Sequence, residues 1–367
     1  CELHASSHRF YADDILLFGN ADNGTISCIK GIFSHYEEVA GQVINWGKSS
    51  VMFGGSILAS KQCRVAHRLG VKRGLIPFIY LGMPIFYDKV KRCNLESISL
   101  NIINQLENWK GKNMSQVGRI CLVNSVVTSM FVYSFSLYRW PRSLIKELNT
   151  KIINFIWTGS VHERKTVTVS WKDCIKPSHM GGLGIKDIRL FNDTLIIKFT
   201  WNLISKSDED MDFLRTRFTA KLHNGYSNHL CYSIWYAIKQ AYADLMAHSK
   251  WRFFKQSSLN LWTTPWLSRP HCDDVSITPL LRETSIAELQ GSSTVINVIP
   301  NHVGKEIAQY CYSHYDTLVW MRNLNGMFNT REGYRLLCGA SLDPPSCVMD
   351  FSKPFIPPAS ALLIWKI

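Results

Sequence analysis

The stretch SHRFYADDILLF, residues 7–18, decides the fold of the N-terminal part of this chain. It contains two short runs of β-favouring residues, separated by Asp13 and Asp14. Because a pair of aspartates favours a turn between two strands, the pattern predicts a tight β-hairpin. Both carboxylates are expected at its tip, on a rigid support.

The segment after the hairpin has mixed helical and strand patterns. Apolar residues from Ile26 to Ala40 recur at three- and four-residue steps, which predicts an amphipathic helix. Gly41 stands where a left-handed residue commonly ends a helix. Next come a predicted strand over 49–53, a helix over about 61–69 with Ser60 as N-cap, and an apolar run over 78–81.

After Asp88 the apolar residues follow helical spacing in three successive segments. Their stripes begin at Leu95, Val117 and Leu144, and Gly159 is placed to end the third helix. Beyond it the patterns predict a strand over 167–171 and helices over about 190–204, 229–247 and 330–338. The chain is therefore predicted to be α+β, with a helical bundle in its middle.

The net charge and the spacing of the cysteines limit which functions the chain can have. Lysine and arginine outnumber acidic residues 41 to 28, and the formal net charge of +13 favours a polyanionic partner such as nucleic acid. No apolar stretch is expected to reach the roughly 18 residues of a membrane span. The 11 cysteines include no CxxC pair, and the spacing of Cys311 and His314 alone does not indicate zinc. A protein of a reduced compartment without a zinc site is predicted.

The aspartate pair is the feature that suggests chemistry. Nucleotidyl transfer uses carboxylates to hold two Mg²⁺ ions on the incoming triphosphate and the primer 3′ oxygen. Mg²⁺ prefers hard oxygen ligands and needs only one or two carboxylates beside waters and phosphates. A solvated turn is the ordinary explanation of two adjacent aspartates, so the surrounding sequence has to decide between the two interpretations.

The flanking sequence resembles the reverse transcriptases of plant LINE-type (non-LTR) retrotransposons. The tetrad Tyr11-Ala12-Asp13-Asp14 is followed by Ile-Leu-Leu-Phe, and then by Gly41-Gln42-Val43-Ile44-Asn45-Trp46-Gly47-Lys48-Ser49. Further matching blocks, in order, are YLGMP (80–84), WKGK (109–112), GR (118–119), LVNSV (122–126), WP (140–141), NFIW (154–157) and GGLGI (181–185). The resemblance returns at 326–337 and 355–366.

The resemblance implies an α+β chain of four parts. Residues 1–88 would form the C-terminal half of a polymerase palm, and 89–205 a helical thumb or connection region. Residues 206–325 would be a poorly defined linker, and 326–367 the truncated start of a zinc-binding region whose ligands would follow Ile367. The parent protein would be an RNA-directed DNA polymerase that binds an RNA template, a DNA primer and deoxynucleoside triphosphates.

Site residues follow from the matched motifs. Asp13 and Asp14 would bind Mg²⁺, with Mn²⁺ as a possible substitute, and Tyr11 would lie beside the primer terminus. Lys48 would act near the triphosphate, where an ammonium can neutralise or protonate the leaving pyrophosphate; the alternative is an exposed lysine on a strand edge.

Lys110, Lys112 and Arg119 cluster around the first turn of the thumb-like region, where a polymerase contacts the phosphates of its duplex. A solvated basic turn is the alternative explanation of this cluster. Under the first explanation, these three residues are the predicted nucleic-acid contacts outside the hairpin.

Three functions remain open. In this family another metal-binding aspartate and the nucleotide-holding fingers precede the tetrad, whereas 10 residues precede Tyr11 here. The chain is therefore expected to be a polymerase fragment that is inactive alone. The alternatives are a non-catalytic nucleic-acid-binding remnant of a decayed element and a helical protein-interaction module. A nuclear or cytoplasmic location is expected, without a signal peptide or transmembrane segment.

Overall fold

The computed structural model describes residues 7–54, 57–86, 89–206, 208–223, 234–252, 285, 316–322 and 325–339. These residues form a helix-rich α+β chain in which each sheet has two strands, so the predicted fold class is confirmed. The chain divides into two compact units, Cys1–Lys89 with Asp208–Arg217, and Val90–Ser207 with Phe218–Ile367. The boundaries of the four predicted domains stay predictions.

The N-terminal hairpin of the first unit forms as predicted. Strand β1 (His8–Tyr11) pairs antiparallel with β2 (Asp14–Leu17), and the last pair of the register joins Tyr11 to Asp14. Ala12 and Asp13 are therefore the two turn residues. Ala12 has a φ of 51°, the sign that two-residue hairpin turns require at their first position.

Helix α1 (Asn23–Ala40) follows the hairpin and also confirms its prediction. The Asp22 carboxylate accepts a hydrogen bond from the Thr25 amide at 2.8 Å, which satisfies one of the free donors at the helix start. Gly41 ends the helix with a φ of 66°. A side chain with a Cβ would be strained there, which explains why glycine occupies the position.

The rest of the first unit consists of short elements. Strand β3 (Ser50–Val51) pairs parallel with β4 (Lys72–Arg73), and β5 (Phe78–Tyr80) pairs antiparallel with β6 (Met83–Ile85). Helix α2 (Ala59–Leu69) follows β3 and precedes β4 along the chain. The prediction that Ser60 caps α2 is wrong, because Leu58 occupies the N-cap position and makes no side-chain hydrogen bond; Ser60 falls within the first turn.

The second unit begins with α3 (Arg92–Asn108), which packs against α6 (Arg142–Thr158). The predicted stripes are confirmed, since the buried residues include Leu95, Ile102, Leu106, Leu144, Leu148, Ile152 and Phe155. Gly159 ends α6 with a φ of 79°. The helical spacing of the apolar residues was sufficient to predict α3 and α6, because each helix buries one continuous apolar face.

Between them, α4 (Gln116–Leu122), a π-helical turn (Val123–Val127) and α5 (Thr128–Leu137) form one continuous helix. Among the described residues this helix, Gln116–Leu137, is by length and composition long and apolar enough to cross a membrane. The prediction that no apolar stretch reaches the length of a membrane span is therefore wrong for Gln116–Leu137. Phe131 and Phe135 of this helix are buried in the core and stack with their ring centroids 4.6 Å apart.

Helix α8 (Ile188–Ser205) is the centre of the second unit and packs against α5 and α10 (Trp235–Met246). The predicted strand over 167–171 is wrong. Ser170 instead caps the short helix α7 (Trp171–Cys174), its hydroxyl accepting a hydrogen bond from the Lys172 amide. Serine is favoured at a helix N-cap, and this preference of Ser170 outweighed the strand preference of the β-branched residues before it.

The last described elements are α9 (Glu209–His223), a hairpin of β7 (Ser249–Arg252) and β8 (Thr317–Trp320), and α11 (Thr330–Leu337). The predicted helix over 330–338 is confirmed by α11. Part of the helix predicted over 229–247, the Cys311 and His314 pair, and the matched block over 355–366 lie outside the described residues.

Candidate functional site

The hairpin tip presents the predicted catalytic carboxylates to solvent. Asp13 occupies the second turn position and Asp14 the first position of β2, so they are adjacent on one rigid support. Both are exposed, as is Tyr11, which keeps 63% of its surface accessible. A further backbone hydrogen bond from Phe18 to Ser7, at 2.8 Å, extends the pairing beyond the strands.

The donor set at the tip fits a magnesium ion held largely by water and substrate. Two exposed carboxylates supply hard oxygen ligands, and Mg²⁺ is commonly bound through one or two of these. Over the described ranges, no group of three or more His, Cys, Asp or Glu residues is arranged to hold a metal ion. Asp13 and Asp14 therefore stand as a pair.

Lys48 lies in the turn after α1 and is exposed. Its backbone amide donates to the Asn45 carboxamide oxygen at 3.0 Å, which fixes the turn. No hydrogen bond or ion pair joins Lys48 to Asp13 or Asp14 in the described part of the chain. The structure thus brings the two aspartates together with Tyr11 but does not join Lys48 to them, and its predicted role stays a prediction.

A second candidate site surrounds the predicted basic turn in the other unit. Lys110 and Lys112 flank Gly111 at a 3₁₀ turn (Gly111–Asn113) that follows α3. They border an open cleft of about 450 Å³. Its lining residues are Glu107, Lys110, Gly111, Lys112, Asn113, Gly159, Ser160, Val161 and His162.

The floor of this cleft is a close contact between two backbones. A Cβ on Gly159 would lie 2.5 Å from the Lys112 amide nitrogen, and a Cβ on Gly111 would lie 2.7 Å from the Gly159 carbonyl oxygen. Neither distance is compatible with a side chain. The two glycines therefore allow the end of α6 to approach the lysine-bearing turn and fix its position.

Two side-chain contacts join residues on the two sides of the cleft. The Lys112 ammonium pairs with the Glu163 carboxylate, and His162 Nε2 lies 2.9 Å from Glu107 Oε1. Lys110 makes no ion pair with another described residue. Sequence reasoning missed Glu107, His162 and Glu163 because about 50 residues separate the two sides of the cleft, and no local pattern links them.

Arg119, the third residue of the predicted cluster, is placed differently. Its guanidinium donates to the Met114 carbonyl oxygen at 3.1 Å and to the Ile156 carbonyl oxygen at 2.9 Å, with a longer bond of 3.4 Å to that of Phe155. Burial lowers the pKa of Arg119. The side chain thus satisfies carbonyls at the end of α6, where a helix leaves acceptors without partners, and this geometry favours a structural role.

No family model matches the chain. It is 22% identical over 312 residues to a protein of Arabidopsis thaliana named for ribonuclease H, with 78% of this chain and 50% of that protein aligned. An uncharacterized mitochondrial protein of the same plant is 32% identical over 89 residues, or 24% of this chain and 58% of that protein.

A third similarity is to an uncharacterized 149 kDa protein of the transposon TX1 of Xenopus laevis. It is 24% identical over 153 residues, which make up 41% of this chain and 11% of that protein. The chain thus spans about half the length of the first two proteins and a small part of the third. Its relatives include a transposon protein.

Proposed function

We propose that this chain is part of the reverse transcriptase of a LINE-type retrotransposon. The observation that carries the proposal is the hairpin in which Tyr11 pairs with Asp14 and Asp13 occupies the turn. This arrangement exposes two adjacent carboxylates on a short, rigid support. The matched sequence blocks on both sides of the hairpin, and the similarity to a transposon protein, support the same origin.

In the parent protein Asp13 and Asp14 would hold Mg²⁺, which supplies charge neutralisation for the phosphates and activation of the primer 3′ oxygen. The tight turn fixes the backbone positions of the two aspartates, which lowers the cost of ordering their carboxylates around the ion. Tyr11 is exposed at the end of β1, beside the aspartates, and would position the primer terminus. Lys48 would be recruited to the triphosphate in the assembled enzyme.

The lysine-bearing cleft is proposed to contact the phosphates of the template–primer duplex. Lys110 and Lys112 are both exposed and lie on a turn whose position is fixed by the Gly111–Gly159 contact. Contacts of this kind position a nucleic acid and carry no sequence information. A chain with a net charge of +13 gains further attraction from its overall field.

Primer extension on an RNA template tests the proposal. The open reading frame that contains this chain is expressed whole, and it is compared with its Asp13→Asn and Asp173→Asn variants. Asp173 is an exposed carboxylate paired with Lys176, so its substitution matches the change of charge without touching the hairpin. Extension that is lost in Asp13→Asn and kept in Asp173→Asn is expected. Equal activity of the two variants would contradict the proposal.

A further inference from the structure

Two carboxylates are associated with the cleft beside Lys110 and Lys112, because Glu107 lines it and Glu163 pairs with one of its lining lysines. Glu163 pairs with the Lys112 ammonium, and Glu107 faces His162 at 2.9 Å. Glu107 belongs to the last turn of α3, and Glu163 to the loop that follows α6. A phosphate that entered the cleft would therefore meet a lysine already neutralised by a carboxylate.

We propose that Glu163 competes with nucleic-acid phosphate for Lys112 and so limits the affinity of this cleft. The inference rests on the proposed function, because it takes the phosphates of a duplex as the ligand. Lys110, which has no ion pair among the described residues, would make the first phosphate contact. Lys112 would make a second contact only after it separates from Glu163.

The pair is suited to such an exchange because it is exposed. The side chains of Lys112 and Glu163 keep 62% and 54% of their surface accessible. Exposed ion pairs contribute little to stability, since water and salt compete with them. Phosphate can therefore displace Glu163 without disrupting the fold, and the fold can hold Lys112 in place whether or not the pair is formed.

The backbone contact beneath the cleft allows phosphate to replace Glu163 at Lys112 without a movement of the backbone. The Lys112 amide packs directly against Gly159, and Glu163 lies four residues beyond Gly159. Both partners of the ion pair thus lie close in sequence to the contact between Gly111 and Gly159. Removing the Glu163 charge should release the Lys112 ammonium from its ion pair. The backbone positions of Lys110 and Lys112 should not change.

The test is the affinity for a short RNA–DNA hybrid, measured by fluorescence anisotropy for the wild type, Glu163→Gln and Asp173→Asn. Both substitutions remove one exposed carboxylate from a lysine in the same unit, so they change the net charge equally. Glu163→Gln is expected to bind about two- to fivefold more tightly. Its logarithmic salt dependence should steepen by about one unit, as one further phosphate contact requires. Asp173→Asn should bind as the wild type does.

A Lys112→Gln variant completes the experiment, alone and combined with Glu163→Gln. If Glu163 acts through Lys112, the gain from Glu163→Gln should vanish when Lys112 is absent. A gain that persists without Lys112, or one that Asp173→Asn reproduces, would overturn the inference while leaving the proposed function intact. No salt-sensitive binding by the folded wild-type chain would instead contradict the proposed nucleic-acid interface, and the inference with it. Thermal unfolding followed by circular dichroism shows that each variant is folded.

Discussion

The hydroxyl of Tyr334 accepts a hydrogen bond from the backbone amide of Asp187 at 2.7 Å. The bond joins α11 to the start of α8, two elements separated by 147 residues in the sequence. The Asp187 carboxylate in turn accepts from the Arg189 and Leu190 amides and caps α8. Burial raises the pKa of Tyr334, so this hydroxyl stays protonated at any pH at which the protein would be studied.

Tyr334→Phe is expected to lower the free energy of unfolding by about 1 to 2 kcal/mol. The substitution keeps the ring but leaves the Asp187 amide without its partner in a half-buried position, and the loss is that of an unsatisfied donor. Urea unfolding followed by circular dichroism measures the change. Tyr133→Phe removes an exposed hydroxyl, as Tyr133 keeps 49% of its surface accessible, and it should change stability little. Equal effects of the two substitutions would refute this account of Tyr334.

Arg119→Lys is expected to destabilise the second unit by about 2 kcal/mol, although the charge is kept. A lysine cannot reproduce the planar donor set with which Arg119 reaches the Met114 and Ile156 carbonyl oxygens. Charge-assisted hydrogen bonds of this kind contribute more than neutral ones. Chemical denaturation measures the loss, and Arg189→Lys, on an exposed face of α8, is the matched control. Unchanged stability together with weaker duplex binding would instead support the predicted phosphate contact of Arg119.

Gly159→Ala tests the backbone contact beneath the cleft. Alanine at a φ of 79° is strained, and its Cβ would lie 2.5 Å from the Lys112 amide nitrogen. Gly181 has a similar φ of 81° but nothing within 4 Å of the Cβ position. Gly181→Ala should therefore cost about 1 kcal/mol from backbone strain alone, and Gly159→Ala clearly more. Thermal unfolding compares them, and equal losses would show that the close approach is unimportant.

The sequence predicted those elements whose signals are local. The aspartate pair between two β-rich runs predicted the hairpin, and the positions of Gly41 and Gly159 predicted where two helices end, because the left-handed backbone at each site requires glycine. The prediction was wrong where one local signal favoured a strand and another favoured a helix. The apolar residues over 167–171 suggested a strand, yet Ser170 caps a short helix there.

The cleft could not be predicted, because its geometry depends on tertiary contacts. Lys110 and Lys112 were identified from their motif, but Glu163 pairs with Lys112 from a loop about 50 residues away, and His162 of the same loop contacts Glu107. Arg119 shares the sequence neighbourhood of the two lysines and yet turns to the carbonyls at the end of α6. Charge at a position in the sequence does not reveal whether the side chain faces solvent or completes a helix end.

Lys110→Gln is expected to weaken binding to duplexes of any sequence and to reduce the logarithmic salt dependence by about one unit. Lys110 is the exposed lysine of the cleft that has no ion pair within the described ranges. Salt titrations with two unrelated hybrid sequences measure both quantities. Lys198→Gln, on an exposed position of α8, is the control. A loss confined to one sequence, or an equal loss in Lys198→Gln, would contradict the phosphate contact.

The last prediction concerns the 367-residue chain by itself, which is expected not to extend a primer although Asp13 and Asp14 are intact. Among the residues that the structure describes, no third acidic, histidine or cysteine side chain joins Asp13 and Asp14 in a group that could hold a metal ion. Two-metal catalysis requires the attacking oxygen, the phosphorus and the leaving oxygen to be held in line, and Mg²⁺ gives up its waters reluctantly. Two carboxylates alone are therefore expected to bind the ion weakly.

Two measurements on the chain and its Asp13→Ala variant check this expectation. Primer extension on an RNA template, with Mg²⁺ or Mn²⁺, should give the same background for both, because orientation of the reacting groups normally supplies several kcal/mol or more of the rate enhancement. Titration of Mn²⁺ followed by electron paramagnetic resonance should nevertheless show weak binding that Asp13→Ala reduces, since the hairpin still presents two adjacent carboxylates. Extension by the short chain above the level of its Asp13→Ala variant would refute the prediction. It would show that the hairpin and the helical unit suffice to align primer and nucleotide.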